Sequence, residues 1–442
     1  MSSPIVRFAP SPTGKLHVGN VRTALMNVLF VKNQGGTFVL RIDDTDLERS
    51  TAAYEQGIRD DLSWLGVSWG RTFKQSERFE MYDAAANKLR EAGLLYACYE
   101  TSEELDRQRN LQRVAGKPPM YNRAGLSLSD EEKAAFEAEG RSPHWRFKLS
   151  GGTVTWTDMV RGEQSIDMSS LSDPVLIRGD GSYLYTLPSV VDDIEAKITH
   201  VIRGEDHVTN SGAQIEIFKA LSDHLPEFAH TPLLVGADGK SLSKRLGSLS
   251  MSELREQSIE PLTIASLLAK IGTSDPIEIR PSLDQLAEEF SFSKIGRAPA
   301  RFDEKELVSL NAKLLQQTPY EAIKDRIDGN ESFWTIVRAN IEKISDVEDW
   351  ANIVLKPMSG EISDEDQAFC QQAAEFLPDT INSETWSALI SHLKATTDRK
   401  GKSLFMPLRL ALTGQGHGPS MDDMLVLLGA AKAKARLGGE VA

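Results

Sequence analysis

The opening stretch of the chain admits few folds. "IVRF", Ile5 to Phe8, is a short apolar run stopped by Pro10, Pro12 and Gly14, residues that favour a turn or loop. From Asn20 onward Val21, Ala24, Leu25, Val28 and Leu29 recur at helical spacing, and Gly35-Gly36 ends the helix. "TFVLRID" then has the unbroken apolar character of a strand buried on both faces. Strand, helix and strand joined by short loops make a βαβ unit, and that unit dictates a parallel sheet with a right-handed crossover. Ligands of open parallel sheets bind beyond the carboxyl ends of the strands, so the loop "APSPTGKLHVGN" is the first place to look for chemistry.

Two helices follow, the first with Thr45 and Glu48 as a capping box, the second with Phe79, Tyr82, Ala86 and Leu89 on one face. The character then changes. "LLYACY", "HWRFKL", "GTVTWTD" and "PVLIRGDGSYLYTL" read as strands, the last pair joined by a Gly179-Asp180-Gly181 turn. "ITHVIRGEDH" restores the parallel-sheet pattern, with a helix through Ile215 and Phe218. Beyond about residue 250 strands are expected to stop, and "SFWTIVRANIEKI" places Trp334, Val337, Ile341 and Ile344 on one helical stripe that faces a core. The fold class is α/β then all-α: a Rossmann-like parallel-sheet domain split by a mixed insertion, followed by helices. The boundaries predicted are 1–93 and 189–250 for the two halves of the sheet domain, 94–188 for the insertion, and 251–315 and 316–442 for two helical regions.

A chain of 442 residues exceeds what one core supports, in line with several domains. Its formal net charge of −14 excludes a surface that grips nucleic acid everywhere but leaves room for local basic tracks. One lies between Lys394 and Arg409, where Lys394, Arg399, Lys400, Lys402 and Arg409 oppose only Asp398. Two cysteines, Cys98 and Cys370, with no CxxC, exclude a disulfide framework and point to a reducing compartment. No run approaches the ~18 apolar residues of a membrane span, and the N-terminus lacks a signal-peptide pattern. A cytoplasmic protein is expected.

His17 sits where the first loop enters a helix. Alone, a histidine there is most often a cap. It can also donate an N–H to a phosphate at the helix N-terminus, while Gly19, without a side chain, lets a flat ring approach the backbone. No GxxxxGK[ST] is present, so the site is not a P-loop. "DGKSLSKRLGS" is the second element, a Gly- and Ser-rich loop carrying Lys240, Lys244 and Arg245. Such cations are either solvated or able to close over a triphosphate and spread the charge on departing pyrophosphate.

Taken together, "RFAPSPTGKLHVGN", "LRIDDTD", "HVIRGEDH" and "GADGKSLSKR" resemble the bacterial-type glutamyl-tRNA synthetases of class I. The likeness continues at "FDEKELVSLN" and "RKGKSLFMPLRLALTG" and so covers nearly the whole chain. The resemblance implies an ATP site at His17, Gly19, Asn20, Ser243, Lys244 and Arg245, with His17 and Lys244 catalytic and Mg²⁺ entering with ATP. It implies a glutamate site at Arg7, Ala9, Ser11, Asp43, Tyr185 and Arg203. Two arginines from different strands can fork the carboxylates, with Asp43 and Ser11 accepting from the ammonium. Residues 94–188 become an acceptor-binding insertion, 251–315 a stem-contact region and 316–442 an anticodon-binding domain, with Arg399, Lys400, Lys402 and Arg409 candidates for tRNA phosphates. The implied partners are L-glutamate, ATP and tRNA(Glu), with tRNA(Gln) left open, no membrane, and a monomer.

The chain also departs from its relatives. Asn20 stands for a histidine, Ser241 for a lysine, and Asp43 for a glutamate. Some relatives bind zinc through cysteines in the insertion; here "CYETSEEL" keeps only Cys98, with Glu100 and Tyr121 nearby, so no structural zinc is expected. Three further readings are weighed: an enzyme that glutamylates a modified tRNA base, whose form lacks the anticodon-binding region; a glutaminyl-tRNA synthetase, which is expected to end in β-barrels where this chain ends in helices; and an inactive paralogue acting as an RNA-binding module.

Overall fold

The computed structural model describes residues 3–240, 242 and 249–442. Strand β1 (Ile5–Phe8) pairs in parallel with β2 (Thr37–Ile42), which pairs in parallel with β3 (Arg71–Lys74). The crossover is α1 (Val18–Gln34). Gly35 closes it at φ +65°, and its N–H returns to the carbonyl of Val31. Gly36 is needed for space: a Cβ there would stand 2.3 Å from the carbonyl oxygen of Pro4. The helix is apolar nearly all round, since a second layer covers its outer side. There α10 (Leu283–Glu288) runs alongside, with Lys32 Nζ 2.6 Å from Asp284 and the Asn33 amide donating to the carbonyl of Ala287 at 2.8 Å.

Helix α2 (Ala52–Trp64) begins later than the pattern predicts. Its cap is Thr51, whose side chain accepts from the Tyr54 N–H at 3.2 Å, and Thr45 and Glu48 form no capping box. Asp46 instead closes a turn by accepting from the N–H groups of Arg49 and Ser50. Helix α3 (Phe79–Glu91) buries Tyr82, Ala86 and Leu89 as expected.

The insertion contributes β4 (Leu95–Cys98), α4 (Ser102–Val114), α5 (Asp130–Ala138), β5 (His144–Phe147), β6 (Thr153–Asp158), β7 (Gly162–Asp167) and β8 (Val175–Ile177). β4, β5 and β8 form an antiparallel sheet of their own, while β6 and β7 make a hairpin. The turn at Gly181 is present, but the strand expected after it is not. Tyr183 makes a single bridge to Ile177, and α6 (Thr186–Glu195) then starts. Leu187, Val190 and Val191 are buried at helical spacing, and that period outweighs the brief alternation of "YLYTL".

After α6 come β9 (His200–Gly204), α7 (Val208–Leu221) and β10 (Glu227–Thr231). β9 is parallel to β10, and β10 meets β6 at Phe228 and Asp158. β9 also runs beside β1: the Thr199 N–H donates to the Ile5 carbonyl at 2.9 Å, and the Ile5 N–H to Thr199 Oγ1 at 2.8 Å. The strand order therefore reverses between β1 and β9, which makes the gap beyond their carboxyl ends the switch point of the sheet. One strand does lie beyond residue 250: β11 (Leu234–Gly236) pairs with β12 (Ala300–Phe302). Three residues are too few to show a periodicity.

The chain divides into two compact units, Met1–Leu254 with Ile264–Asp303, and Arg255–Thr263 with Glu304–Ala442. The linking helices are α8 (Met251–Glu256) and α9 (Pro261–Lys270). The second unit holds α11 (Glu304–Gln317), α12 (Glu331–Val337), α13 (Asp346–Leu355), α14 (Asp364–Phe376), α15 (Thr385–Thr396), α16 (Lys402–Thr413) and α17 (Met421–Leu437). Trp334, Val337 and Ile341 are buried in its core with Leu389, Leu408 and Met424, and Ile344 packs against it. The stripe is not one helix, however. α12 ends at Val337, because Asp346 Oδ2 accepts from the N–H groups of Glu342 and Lys343 and holds that stretch out of helix. Among the described residues no helix is long and apolar enough to cross a membrane.

Candidate active site

A cavity of about 990 Å³ opens at the switch point, and Arg7, Ala9, Ser11, His17, Gly19, Asn20, Asp43, Tyr185 and Arg203 all line it. Candidate residues as far apart in the sequence as Arg7 and Arg203 thus share one hollow in the first unit. Ser243, Lys244 and Arg245, like Ser241, lie outside the described residues. The residues on either side of that stretch are at the site: Leu242 lines the cavity, and the Val18 N–H donates to the Leu249 carbonyl at 3.2 Å.

His17 is a cap, and that role sets its chemistry. Its Nδ1 accepts from the N–H groups of Gly19 at 3.1 Å and Asn20 at 3.4 Å, while Asn20 Oδ1 accepts from the His17 N–H. An accepting Nδ1 leaves the ring proton on Nε2. Burial lowers the His17 pKa, so the ring stays neutral. A neutral N–H donor at a helix N-terminus suits a phosphate oxygen. Gly19 is packed against the same ring: a Cβ there would be 3.0 Å from His17 Cε1 and 3.1 Å from Nδ1.

The arginines differ in their partners. Arg7 on β1 is buried, and its Nε donates to Asp193 on α6 at 3.0 Å and 3.3 Å. The same Asp193 oxygen accepts from Arg41 Nη1 at 2.8 Å. Arg41 in turn forks Asp43, Nε to Oδ1 at 2.6 Å and Nη2 to Oδ2 at 3.0 Å. Asp43, expected as an acceptor for the ammonium, is thus engaged on both oxygens, with its second lone pairs left for a ligand. Burial pushes its carboxyl up to about 6, although Arg41 opposes the shift.

Arg203 on β9 is also buried, yet among the described residues no carboxylate oxygen lies within 4 Å of it. Its Nη2 donates to Ser211 Oγ at 2.6 Å and its Nε to His230 Nε2 at 3.3 Å. Burial, with Arg7 nearby, lowers its pKa to about 10. A buried guanidinium held only by neutral groups is costly by itself and calls for an anion. Tyr185 stands at the N-terminus of α6, half exposed, with its hydroxyl 3.5 Å from His207 Nδ1. Arg41, Ser189, Asp193 and His230 were not identified from the sequence. Ser189, whose carbonyl and hydroxyl accept from Arg41 at 3.3 Å each, and Asp193 lie on a helix that follows directly on the expected strand "PVLIRGDGSYLYTL" and that the sequence reading left unassigned. Nothing in a single sequence couples His230 to Arg203.

In the insertion, Cys98 Sγ, Glu100 and His144 bring ligand atoms within 4.8 Å of one another. His144 arrives by strand pairing, opposite Cys98 across β4 and β5. Glu100 Oε2 and His144 Nε2 are buried and have no hydrogen-bond partner among the described residues. Three such donors are one short of a closed tetrahedral zinc site. The adjoining Tyr121 hydroxyl is bonded to Glu100 Oε1 at 2.8 Å and to Cys98, and accepts from the Gly125 N–H.

In the second unit the basic track divides. Arg399 pairs with Asp366 and lies 4.4 Å from the Phe369 ring centroid, and Arg409 Nη2 donates to the Pro419 carbonyl at 2.8 Å. Lys400 and Lys402 are exposed.

The comparisons agree with this geometry. Residues 5–309 match the family described as "tRNA synthetases class I (E and Q), catalytic domain", and residues 312–439 match "Anticodon binding domain". Glutamate–tRNA ligase 2 of Hyphomonas neptunium is 59% identical, over 99% of this chain and 100% of its own length. Glutamate–tRNA ligase 1 of Maricaulis maris is 58% identical, over 99% of each chain. A crystal structure of a glutamate tRNA ligase from Elizabethkingia meningosepticum in complex with its amino acid superposes with a TM-score of 0.85 at 28% identity, covering 99% of this chain and 98% of that one. A split parallel sheet, a capped helix facing a cavity lined by two buried arginines, and relatives matched over their full length lead to one conclusion: this chain belongs to the class I glutamyl-tRNA synthetase family.

Proposed function

We propose that the protein is a glutamate–tRNA ligase that activates L-glutamate with ATP and transfers it to the 3′ end of tRNA(Glu) in the cytoplasm. The observation that carries this reading is Arg203, a buried guanidinium lining the cavity with no carboxylate of its own among the described residues. Arg7 on the neighbouring strand lines the same cavity and has its Nη groups free of hydrogen bonds to described residues. The two suit an amino acid with two carboxylates, and Asp43 with Ser11 suits its ammonium. Glutamine would turn amide N–H groups toward guanidinium donors, a mismatch of the kind that gives ~10⁴-fold rejection.

His17, Gly19 and Asn20 form the nucleotide side, to be joined by Ser243, Lys244 and Arg245, with ATP entering as its Mg²⁺ complex. The glutamate α-carboxylate oxygen attacks the α-phosphorus and pyrophosphate leaves. A ribose hydroxyl at the tRNA terminus then attacks the mixed anhydride and AMP leaves. Positioning and charge stabilisation carry both steps. The helical second unit supplies the anticodon contacts, with Lys400 and Lys402 free to meet phosphates.

Charging assays with tRNA(Glu) and tRNA(Gln) transcripts, ATP and either amino acid test the reading. Glutamate is expected to be attached to tRNA(Glu) and glutamine to neither. Absence of glutamate-dependent pyrophosphate exchange with tRNA present would favour an inert RNA-binding module. K244A is expected to reduce turnover far more than glutamate affinity, and an unchanged rate would refute its assigned role.

A further inference from the structure

Arg203 and His230 are register partners on the parallel strands β9 and β10, so their side chains leave the sheet on the same face. His230 is wholly buried, and its Nδ1 lies 2.6 Å from Asp158 Oδ2. Asp158 is buried as well, with Oδ1 accepting from the backbone N–H groups of Val160 at 3.0 Å, Arg161 at 2.9 Å and His230 at 3.1 Å. The carboxylate is therefore fixed and acceptor-only, so the His230 proton sits on Nδ1 and Nε2 presents a lone pair. The Ser211 hydroxyl donates to that lone pair at 2.8 Å, and the Arg203 Nε–H shares it at 3.3 Å.

Ser211, His230 and Asp158 have the order of a nucleophile, a base and an orienting acid. Ser211 is wholly buried and its oxygen already accepts from Arg203 Nη2 at 2.6 Å, which leaves no approach for a substrate. The chain of bonds ends on the arginine. Asp158 sets the tautomer, the tautomer makes Nε2 an acceptor, and the acceptor together with Ser211 fixes the plane of the guanidinium.

We propose that His230, locked by Asp158, is a positioning residue for glutamate recognition that acts through Arg203. The inference rests on Arg203 being a glutamate contact. A guanidinium forks a carboxylate only when its plane is aligned with it, and among the described residues no carboxylate within 4 Å aligns this one. His230 supplies what a carboxylate partner would, without neutralising the charge the substrate needs.

Two variants of similar bulk separate this role from packing. In H230Q the side-chain amide reaches the Nε2 position and keeps an acceptor for Arg203. In H230N the amide reaches only the Nδ1 position, which keeps the bond to Asp158 and leaves Arg203 Nε without its acceptor, while Nη2 keeps Ser211. Steady-state aminoacylation with saturating tRNA reads the effect, with urea midpoints checking that both variants fold. H230N is expected to raise the KM for glutamate about ten- to hundredfold, the fold-change that corresponds to losing one hydrogen bond to a charged group. Its KM for ATP and its kcat at saturating glutamate are expected to hold within about twofold. H230Q is expected to stay near the native KM. The reverse order, or equal losses in both, overturns the proposal in favour of a structural histidine. R203A is the third arm. If it leaves the glutamate KM unchanged, the assignment of Arg203 itself falls; if it raises that KM while H230N does not, only the positioning role falls.

Discussion

Asp193 bonds two buried guanidiniums, those of Arg7 and Arg41, and D193N removes its charge while keeping its shape. The side chains concerned are 7% exposed for Arg7, 2% for Arg41 and 5% for Asp193, so solvent screens neither pair. The Arg7 bond at 3.0 Å and the Arg41 bond at 2.8 Å are both charge-assisted. Both bonds end on Oδ1, which asparagine keeps as an acceptor. D193N therefore turns two charge-assisted bonds at ~1.5–3 kcal/mol each into neutral ones at ~0.5–1.5 kcal/mol each. The loss falls at or below the low end of the ~3–5 kcal/mol expected when a buried pair loses one partner. Arg41 keeps Asp43, which places D193N toward the lower end. An exposed pair of similar length gives the contrast. Lys434 and Asp379 stand 2.6 Å apart, but Asp379 is 98% exposed, so K434A is expected to leave stability close to native. Urea unfolding followed by pulse proteolysis of the full chain reads both variants. The transition of the first unit should move to clearly lower urea in D193N, and millimolar glutamate, by supplying carboxylate to Arg7, should restore part of the loss. A D193N midpoint as close to native as that of K434A would refute the reasoning, because the two guanidiniums would then be compensated elsewhere.

Other perturbations test neighbouring parts of the site. With its carboxyl at about 6, Asp43 is charged above that pH and neutral below it, so kcat/KM for glutamate should fall as pH drops through about 6. D43N should remove that acid limb, and a limb that persists in D43N belongs to another group. G19A sets a methyl 3.0 Å from His17 Cε1 and should displace the imidazole, raising the KM for ATP about tenfold, equivalent to ~1.4 kcal/mol. An unmoved KM for ATP would take His17 out of the nucleotide site. Metal analysis of protein purified without chelators should find well under one zinc per chain. A full equivalent, lost in both C98A and H144A, would overturn the argument from donor count.

The sequence alone determined the local elements and the ligand class. The run from Ile5 to Ile42 could only be a βαβ unit, since its periodicity switches from strand to helix and back between glycine and proline stops. His17 and Gly19 were legible because helix caps and close approaches are matters of a few adjacent residues. Errors arose where local signals compete or are too short. "YLYTL" lost to the helical period of α6, β12 has three residues, and the stripe after Trp334 breaks where Asp346, three and four residues on, takes the backbone N–H groups of Lys343 and Glu342. Only tertiary structure decided who partners whom. Asp193 joins Arg7 and Arg41 from 186 and 152 residues away, His230 meets Arg203 through strand register, and His144 reaches Cys98 the same way. Charge compensation and tautomer choice depend on distances of a few ångströms between side chains from separate strands, and sheet order, which no local pattern encodes, sets those distances.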